Sequence, residues 1–200
     1  MLISFATHPL TEFLAICSFL LYVLLSAKGN IWCWAAGFLT AFLYTFVFIG
    51  AHLPGQVALN IVYMMMSIWG WSVWLENSKP DGISIFTFGD VRKHIVFTTG
   101  IMILATGISL LMPSYFTSAQ PVFEASVIGL SVYATILTVF RKIESWLFWM
   151  VINLASFILF FEENLLQTSV MYGGLVLISA WGFYNWRKLR RVEKLQSIKQ

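Results

Sequence analysis

Seven apolar runs, each long enough to cross a lipid bilayer, constrain this chain more than any other feature of its sequence. A helix needs about 20 residues to cross a hydrocarbon core of about 30 Å. Helices are favoured over a barrel because backbone polar groups in lipid must be satisfied within each span, and barrel strands would be shorter and alternating. Charged residues make up only 10% of the chain, against about a quarter in globular domains. We predict one all-α integral membrane domain, residues 1–200, with seven transmembrane helices near 11–27, 31–50, 57–75, 93–112, 122–140, 145–161 and 168–186.

A short tryptophan-glycine motif occurs twice and indicates an internal repeat. Segments 69–74 and 181–186 both have the pattern Trp-Gly-aromatic-x-x-Trp, and both close an apolar run. The same offset of 112 residues pairs further identical residues without a gap: Glu12 with Glu124, Trp34 with Trp146, Phe48 with Phe160, Leu53 with Leu165 and Ser67 with Ser179. A repeat of this kind decides the architecture.

The repeat divides the chain into two three-helix units, residues 11–75 and 123–187. Between them, residues 76–122 form a cytoplasmic loop and a linker helix, and residues 188–200 form a basic tail. Four crossings separate the starts of the two units, so both enter the membrane in the same direction. The prediction is a 3+1+3 arrangement with parallel repeats, a transporter architecture whose substrate site lies near the midplane.

The basic residues indicate the orientation of the chain in the membrane. All 12 Lys and Arg residues lie in segments that follow the first, third, fifth or seventh predicted span. The positive-inside rule then places the N-terminus outside and the C-terminus in the cytoplasm. Because these residues flank membrane spans, the net charge of +3 does not indicate nucleic-acid binding.

Cys17 and Cys33 fall at different depths, and no metal-ligand spacing is present. We expect the lipid bilayer as a partner and no metal or cofactor.

The third span carries one polar stripe on an otherwise apolar helix. Gln56, Asn60, Tyr63 and Ser67 follow at i, i+4, i+7 and i+11, which places them on one helix face. Such a stripe lines either a packing seam or a wet cavity. Amides and a phenol are larger than the small residues usual in seams, so the cavity is favoured.

Asn153 near the middle of the sixth span is the most informative single residue. A buried amide without partners costs of order 2–7 kcal/mol, so Asn153 should face protein or a polar cavity. Helical spacing places Trp146 and Trp149 on the same face. The alternative to a ligand site is an interhelical hydrogen bond that holds the bundle together.

The tryptophans divide into two groups by depth. Trp69 and Trp181 are equivalent in the repeat and lie deepest, so the two indoles are candidates to flank a central cavity. Indole faces stack on flat rings and attract cations by about 0.5–2 kcal/mol. The remaining indoles fit an interfacial aromatic belt at the cytoplasmic ends of the spans: Trp32, Trp34, Trp71, Trp74, Trp146, Trp149 and Trp186.

Ionisable residues give little support for an enzyme or an ion-driven mechanism. No Asp, Glu, Lys or Arg falls at the centre of a predicted span, and the histidines are isolated at span edges. Glu12 and Glu124 lie at the outer starts of their helices, where the helix dipole favours a carboxylate. A proton-coupling role for these two is the alternative. We expect a protein that is not an enzyme.

At this level of detail the chain resembles the PnuC-type vitamin transporters, whose best known members carry nicotinamide riboside into bacteria. The resemblance covers essentially the whole chain and rests on three segments: 67–74 at the end of the third span, 144–153 in the sixth, and 168–188 through the seventh. Two departures are visible. Ser145 stands where Asn is expected before the sixth-span Trp, and Trp69 stands where Tyr is common before the third-span Gly.

The resemblance implies a bundle related to the SWEET sugar transporters, in a bacterial inner membrane, with an occluded central site. It implies facilitated diffusion of nicotinamide riboside, with intracellular phosphorylation trapping the product. In that site, Trp69, Trp149 and Trp181 would stack on the pyridinium ring, while Gln56, Asn60, Tyr63 and Asn153 would bond the hydroxyls and the amide.

Three alternatives stay open at this point. Thiamine and riboflavin are flat aromatic vitamins carried by related proteins, and residue types do not separate them from nicotinamide riboside. A non-transporting membrane scaffold would use Asn153 and the third-span stripe only for packing. An ion-coupled transporter would use Glu12 or Glu124.

Gly173 and Gly174 could seat a helix of the same chain or of another protomer in a homo-oligomer.

Overall fold

The computed structural model describes residues 9–76, 86–112, 120–162 and 164–197, and in these ranges the fold is seven apolar helices. The helices, in chain order, are α1 (Pro9–Ala27), α2 (Cys33–Gly50), α3 (Pro54–Glu76), α4 (Val91–Leu111), α5 (Pro121–Val139), α6 (Ser145–Glu162) and α7 (Leu166–Ser197). The prediction of seven membrane-spanning helices is confirmed. The largest difference is in α7, which continues as helix through the basic segment that was predicted as a separate tail.

Helix ends follow from the local sequence. Asp90 caps α4, because its carboxylate accepts the backbone N–H of Arg92 at 2.9 Å. Pro121 opens α5 at a position where its missing N–H costs nothing. The segment after residue 85 adds one short parallel bridge, between Thr87 and Lys142, which ties it to the turn between α5 and α6.

The two repeats fold their turns alike. Gly29 and Arg141, 112 residues apart, both have positive φ, at 70° and 50°; His52 and Asn164, also 112 apart, have φ of 58° and 61°. Equivalent backbone bonds close each pair of turns: Asn30 N–H to the Leu25 carbonyl (3.0 Å) matches Lys142 to Leu137 (2.8 Å), and Leu53 to Phe48 (3.0 Å) matches Leu165 to Phe160 (2.9 Å). These are left-handed helix caps. The 3+1+3 arrangement and the direction of the two units stay predictions.

The tryptophan-glycine motif forms two equivalent interlocks. A Cβ on Gly70 would lie 2.5 Å from the Trp34 indole, and a Cβ on Gly182 would lie 2.6 Å from that of Trp146. Trp34 then meets Trp74 edge to face at 5.5 Å, and Trp146 meets Trp186 edge to face, also at 5.5 Å. Glycine is therefore required in this motif because the ring of the neighbouring helix lies against the backbone.

Four indoles thus form the centre of a buried cluster, which corrects the aromatic-belt prediction for Trp34, Trp74, Trp146 and Trp186. All four are at most 3% exposed, and they pack with Ala27, Cys33, Phe86, Val139 and Ile143. Trp74 and Trp186 meet at 6.1 Å. The belt prediction failed because depth was inferred from the sequence position of each indole, without considering the helix against which it packs. Trp32 is 61% exposed, and its place in the belt stays a prediction.

Candidate functional site

A central cavity of about 420 Å³ lies between six of the seven helices. Its lining comes from α1 (Ile16, Phe19, Leu20, Tyr22), α2 (Trp34, Gly37, Thr40, Ala41, Tyr44), α3 (Asn60, Tyr63, Ser67), α5 (Val127, Ser131, Thr135), α6 (Trp149, Ile152, Asn153, Ser156) and α7 (Met171, Tyr172, Leu175). Among the described residues, α4 contributes nothing to it. The volume is in the range of small-molecule sites.

The cavity holds four of the seven predicted site residues. Asn60, Tyr63, Trp149 and Asn153 all line it, and they come from α3 and α6. The polar stripe of α3 therefore borders the cavity through Asn60, Tyr63 and Ser67. Gln56 is not among the lining residues; its backbone carbonyl accepts the Asn60 side-chain N–H at 2.8 Å.

Trp69 and Trp181 lie away from this lining. Trp69 is 42% exposed and meets Phe140 edge to face at 5.2 Å, at the far end of α5. Trp181 is 40% exposed. Of the three indoles predicted to contact the ligand, the structure therefore brings Trp149 to the cavity, and it does not bring Trp69 or Trp181 there.

Two buried asparagines supply the amide groups of the site. Asn153 is 6% exposed, and its Nδ2 lies 3.3 Å from the Ser179 hydroxyl on α7. This is the interhelical bond that sequence reasoning posed as the alternative to a ligand contact, and Asn153 lines the cavity as well. Asn60 is 7% exposed. An amide carries two N–H donors and an acceptor oxygen, so one such bond each uses only part of its capacity.

The remaining polar groups are hydroxyls, and those of Thr40, Ser67 and Thr135 each bond a carbonyl of their own helix. Ser67 bonds the Tyr63 carbonyl at 2.8 Å, and Thr135 bonds the Ser131 carbonyl at 2.8 Å. Each of these hydroxyls donates along its helix and keeps oxygen lone pairs that can accept a bond from a ligand. The lining therefore offers donors and acceptors without offering charge.

Charged side chains do not line the cavity anywhere in the described ranges. Neither Glu12 nor Glu124 belongs to the lining, and no His does. The described residues also hold no cluster of His, Cys, Asp and Glu that could bind a metal ion. What the cavity presents instead is aromatic: Phe19, Tyr22, Trp34, Tyr44, Tyr63, Trp149 and Tyr172. Aromatic faces can stack on a flat ligand and attract a cationic ring.

A smaller space of about 60 Å³ lies between the cavity and the tryptophan cluster, with lining residues from both. It shares Tyr22, Trp149 and Asn153 with the main cavity and adds Ser26, Trp146 and Ser179. Sequence reasoning missed Tyr22, Trp34, Tyr44 and Tyr172 as cavity residues. The repeat gave one usable signal, since Trp34 and Trp146 share the 112-residue offset of Gly70 and Gly182. Nothing comparable marks the tyrosines.

Reciprocal hydrogen bonds join the two repeats beside this site. The Trp74 indole donates to the Val139 carbonyl at the end of α5 (3.0 Å), and the Trp186 indole donates to the Ser26 carbonyl at the end of α1 (2.9 Å). Asn185 adds a bond to the Ala27 carbonyl at 2.8 Å. The last carbonyls of a helix have no partner within it, so these bonds satisfy both ends. Each repeat thereby holds the first helix of the other.

Comparisons with known proteins match the sequence and the fold of this chain. The sequence profile of the family described as nicotinamide mononucleotide transporter matches residues 9–188. The nicotinamide riboside transporter PnuC of Haemophilus influenzae is 29% identical over 85% of this chain and 76% of its own length. The proteins of the same name from Neisseria mucosa and Escherichia coli are 25% and 22% identical, over 85% and 75% of this chain and 69% and 73% of their own lengths.

A crystal structure of the vitamin B3 transporter PnuC matches the fold, with a TM-score of 0.65 over 89% of this chain and 80% of that one, at 23% sequence identity. The resemblance inferred from the three sequence segments is confirmed. The chain belongs to the nicotinamide mononucleotide transporter family, the PnuC family of multi-pass membrane transporters.

Proposed function

We propose that this chain carries nicotinamide riboside across a bacterial inner membrane by facilitated diffusion. The observation that carries the proposal is the uncharged, aromatic and amide-bearing lining of the central cavity. Nicotinamide riboside is a pyridinium cation that bears a ribose and a carboxamide. Trp149 and the tyrosines provide faces for the ring, and Asn60 and Asn153 provide donors and acceptors for the hydroxyls and the amide.

The lining favours the riboside over the mononucleotide for which the family is named. A phosphate brings about two negative charges, and burying them without a cation is costly. None of the described lining residues is Lys, Arg or His. A ligand with one delocalised positive charge suits the site, and a phosphorylated ligand does not.

The same lining supports the proposal of uniport. Proton-coupled carriers place ionisable side chains in the membrane, where they bind and release the proton. Glu12 and Glu124 lie outside the cavity lining, so protonating them would not change the charge at the substrate. Net uptake would then depend on removal of the product by phosphorylation inside the cell.

The mechanism we propose is alternating access between two three-helix units, residues 11–75 and 123–187, joined by α4 in a 3+1+3 arrangement. The N-terminus lies outside and the C-terminus in the cytoplasm. The bonds from Trp74 and Trp186 hold the units together at the basic end of the bundle, where Lys28, Arg141 and Arg187 also lie. Opening this end requires both bonds to break.

Calorimetric titration of the detergent-solubilised protein tests the substrate. We expect saturable binding of nicotinamide riboside, and weak or no binding of the mononucleotide, thiamine or riboflavin. Equal affinity for the mononucleotide would contradict the charge argument. Preference for thiamine or riboflavin would keep the transporter and change the substrate.

Uptake into proteoliposomes tests the mechanism. Radiolabelled nicotinamide riboside should equilibrate across the membrane without accumulating, and proton or sodium ionophores should leave the initial rate unchanged. Asn153→Leu should abolish both binding and uptake, whereas Ser169→Ala, which removes a buried hydroxyl outside the cavity, should keep both. Accumulation that collapses with an ionophore would replace uniport by ion coupling.

A further inference from the structure

A groove of about 740 Å³ lies on the outer side of the bundle, separate from the proposed transport site. It lies between α4 and α5, and its apolar walls include Phe97, Ile101 and Ile108 on one side and Ile128, Val132 and Ile136 on the other. None of the residues that line the central cavity lines this groove. It is therefore a second, independent feature of the fold.

The groove faces outward because α4 is the least covered span. Only 11% of the α4 span is buried within the chain, against 50% of the α5 span. Ile103 and Leu104 are 69% and 63% exposed. On α4 the lining runs from Lys93 to Ile108, a rise of about 22 Å at about 1.5 Å per residue. The hydrocarbon core is about 30 Å thick, so the groove runs through most of the depth of the bilayer.

Charge is confined to one mouth of the groove. Lys93 and Lys142 line that mouth together with Asp90 and His94, and Arg92 is exposed beside them. Asp90 is engaged in capping α4 through the Arg92 N–H. The Lys142 ammonium group donates to the Thr87 hydroxyl at 2.7 Å, which holds it at the turn.

The other ionisable groups near this mouth have partners within the protein. His94 Nδ1 lies 2.7 Å from the Tyr133 hydroxyl, and its Nε2 lies 3.8 Å from Glu144. The Glu144 carboxylate accepts the Gly89 N–H and does not line the groove. The mouth therefore presents two lysines to an incoming group, with Asp90 as its one lining carboxylate among the described residues.

We propose that this groove binds an anionic phospholipid of the leaflet at the basic end of the protein. The acyl chains would lie along the apolar walls, and the phosphate would meet Lys93 and Lys142 at the mouth. Basic pockets between membrane helices on the cytoplasmic side are a recurring form of anionic-lipid recognition. A lipid whose headgroup has no net charge would fit the apolar walls equally well, but its headgroup would gain less binding free energy from the two lysines at the mouth. The proposal does not depend on the transported substrate.

The test compares two lipids on the delipidated, detergent-solubilised full chain. Phosphatidylglycerol should raise the unfolding temperature, and remain bound in native mass spectrometry, more than phosphatidylcholine does. Lys93→Gln with Lys142→Gln should lower the affinity for phosphatidylglycerol by roughly 30-fold and leave phosphatidylcholine unchanged. Lys93→Arg with Lys142→Arg should keep the preference. Lys188→Gln with Arg191→Gln removes the same charge from the exposed end of α7 and should have no effect on the preference.

Two further variants decide whether a lipid occupies the groove. Leu104→Trp should weaken the binding of both lipids, because it fills the apolar walls from an exposed position. The proposal is overturned if the preference for phosphatidylglycerol survives the Lys→Gln pair, or is lost instead in the α7 pair. It is also overturned if Leu104→Cys cross-links two copies of the chain in lipid bilayers, because the groove would then belong to a homo-oligomer.

Discussion

At the scale of single residues, the indole of Trp149 is the side chain with the largest expected effect on ligand affinity. It lines the central cavity beside Asn153, one turn further along the same helix. Trp181 has the same chemistry and lies outside the lining with 40% of its surface exposed. The two residues therefore form a matched pair, in which one indole can contact a ligand in the cavity and the other cannot.

Trp149→Ala should weaken the binding of nicotinamide riboside by about tenfold or more, because an indole face contributes up to about 2 kcal/mol to holding a desolvated cation. Trp181→Ala should change the dissociation constant by less than about twofold. Calorimetry on both variants measures the difference, and a symmetric elution peak controls for folding. Equal losses of affinity in the two variants would show that Trp181 contributes to the binding site as much as Trp149 does.

Sequence reasoning identified the polar residues of the site more successfully than its aromatic ones. Asn60, Tyr63 and Asn153 stood out because a polar side chain in a membrane span needs a partner, whichever helix it faces. An aromatic side chain does not need a hydrogen-bonding partner and can lie equally well against lipid, at the membrane interface or in a cavity. Tyr22 and Tyr44 were missed for this reason, and Trp34 was assigned to the belt.

At the scale of helices, the contact between glycine and indole determines how closely neighbouring helices approach. Gly182 on α7 receives the Trp146 ring from α6, and Gly70 on α3 receives the Trp34 ring from α2. Gly174 lies on α7 about two turns before Gly182, and a Cβ there would meet nothing within 4 Å. The same substitution at these two positions of one helix separates packing from helix propensity.

Gly182→Ala should destabilise the protein by about 1–3 kcal/mol, because the added methyl group must displace a buried indole. Gly174→Ala should be neutral, or stabilising by up to about 1 kcal/mol, because alanine favours the helix over glycine. Thermal unfolding in detergent measures both. A loss of stability in the Gly174 variant that matched the loss in the Gly182 variant would show that the contact with the Trp146 indole does not cause the loss.

Except at the end of α7, the boundaries of the helices could be predicted to within a few residues, while the geometry of the turns could not. Arg141 has the same left-handed conformation as Gly29, although it is not glycine and pays about 1–2 kcal/mol for it. Its guanidinium lies 4.2 Å from the Trp74 ring centroid, an attraction that compensates for part of that strain. Burial lowers the pKa of Arg141 to about 10, against the opposing effect of Glu193, so the group stays charged at neutral pH. No sequence pattern indicated this contact.

At the scale of the whole molecule, the basic end of the bundle is closed by contacts from three parts of the chain. Phe86, from the segment between the repeats, packs on Trp186 at 4.8 Å, and its N–H donates to Glu193 on the extended α7. Thr87 bonds the turn between α5 and α6, where its carbonyl accepts the Ile143 N–H at 3.0 Å. Cys33 is fully buried in the same cluster. The protein thus contains its own thiol reporter for this closure.

Phe86→Ala, in a background with Cys17→Ser, should speed the labelling of Cys33 by a polar maleimide about tenfold or more. Each 1.4 kcal/mol lost from the closed form raises the open population tenfold, and a buried phenyl ring contributes more than that. Phe88→Ala is the control, because Phe88 is 44% exposed and contacts only the end of α7, through Arg190 at 4.7 Å among its described ring contacts. Unchanged labelling in the Phe86 variant would mean that this segment does not hold the end closed.

The bonds between the repeats have the symmetry of an isologous contact, in which residue i of one unit meets residue j of the other and j meets i. Trp74 reaches Val139 and Trp186 reaches Ser26, within one residue of strict equivalence at the 112-residue offset. In two identical three-helix units that met in this way, each unit would supply the hydrogen bonds to the helix-end carbonyls of the other, and α4 would not be needed for them. A dimer of half-length chains could therefore form the same bonds, and the single fused chain retains them.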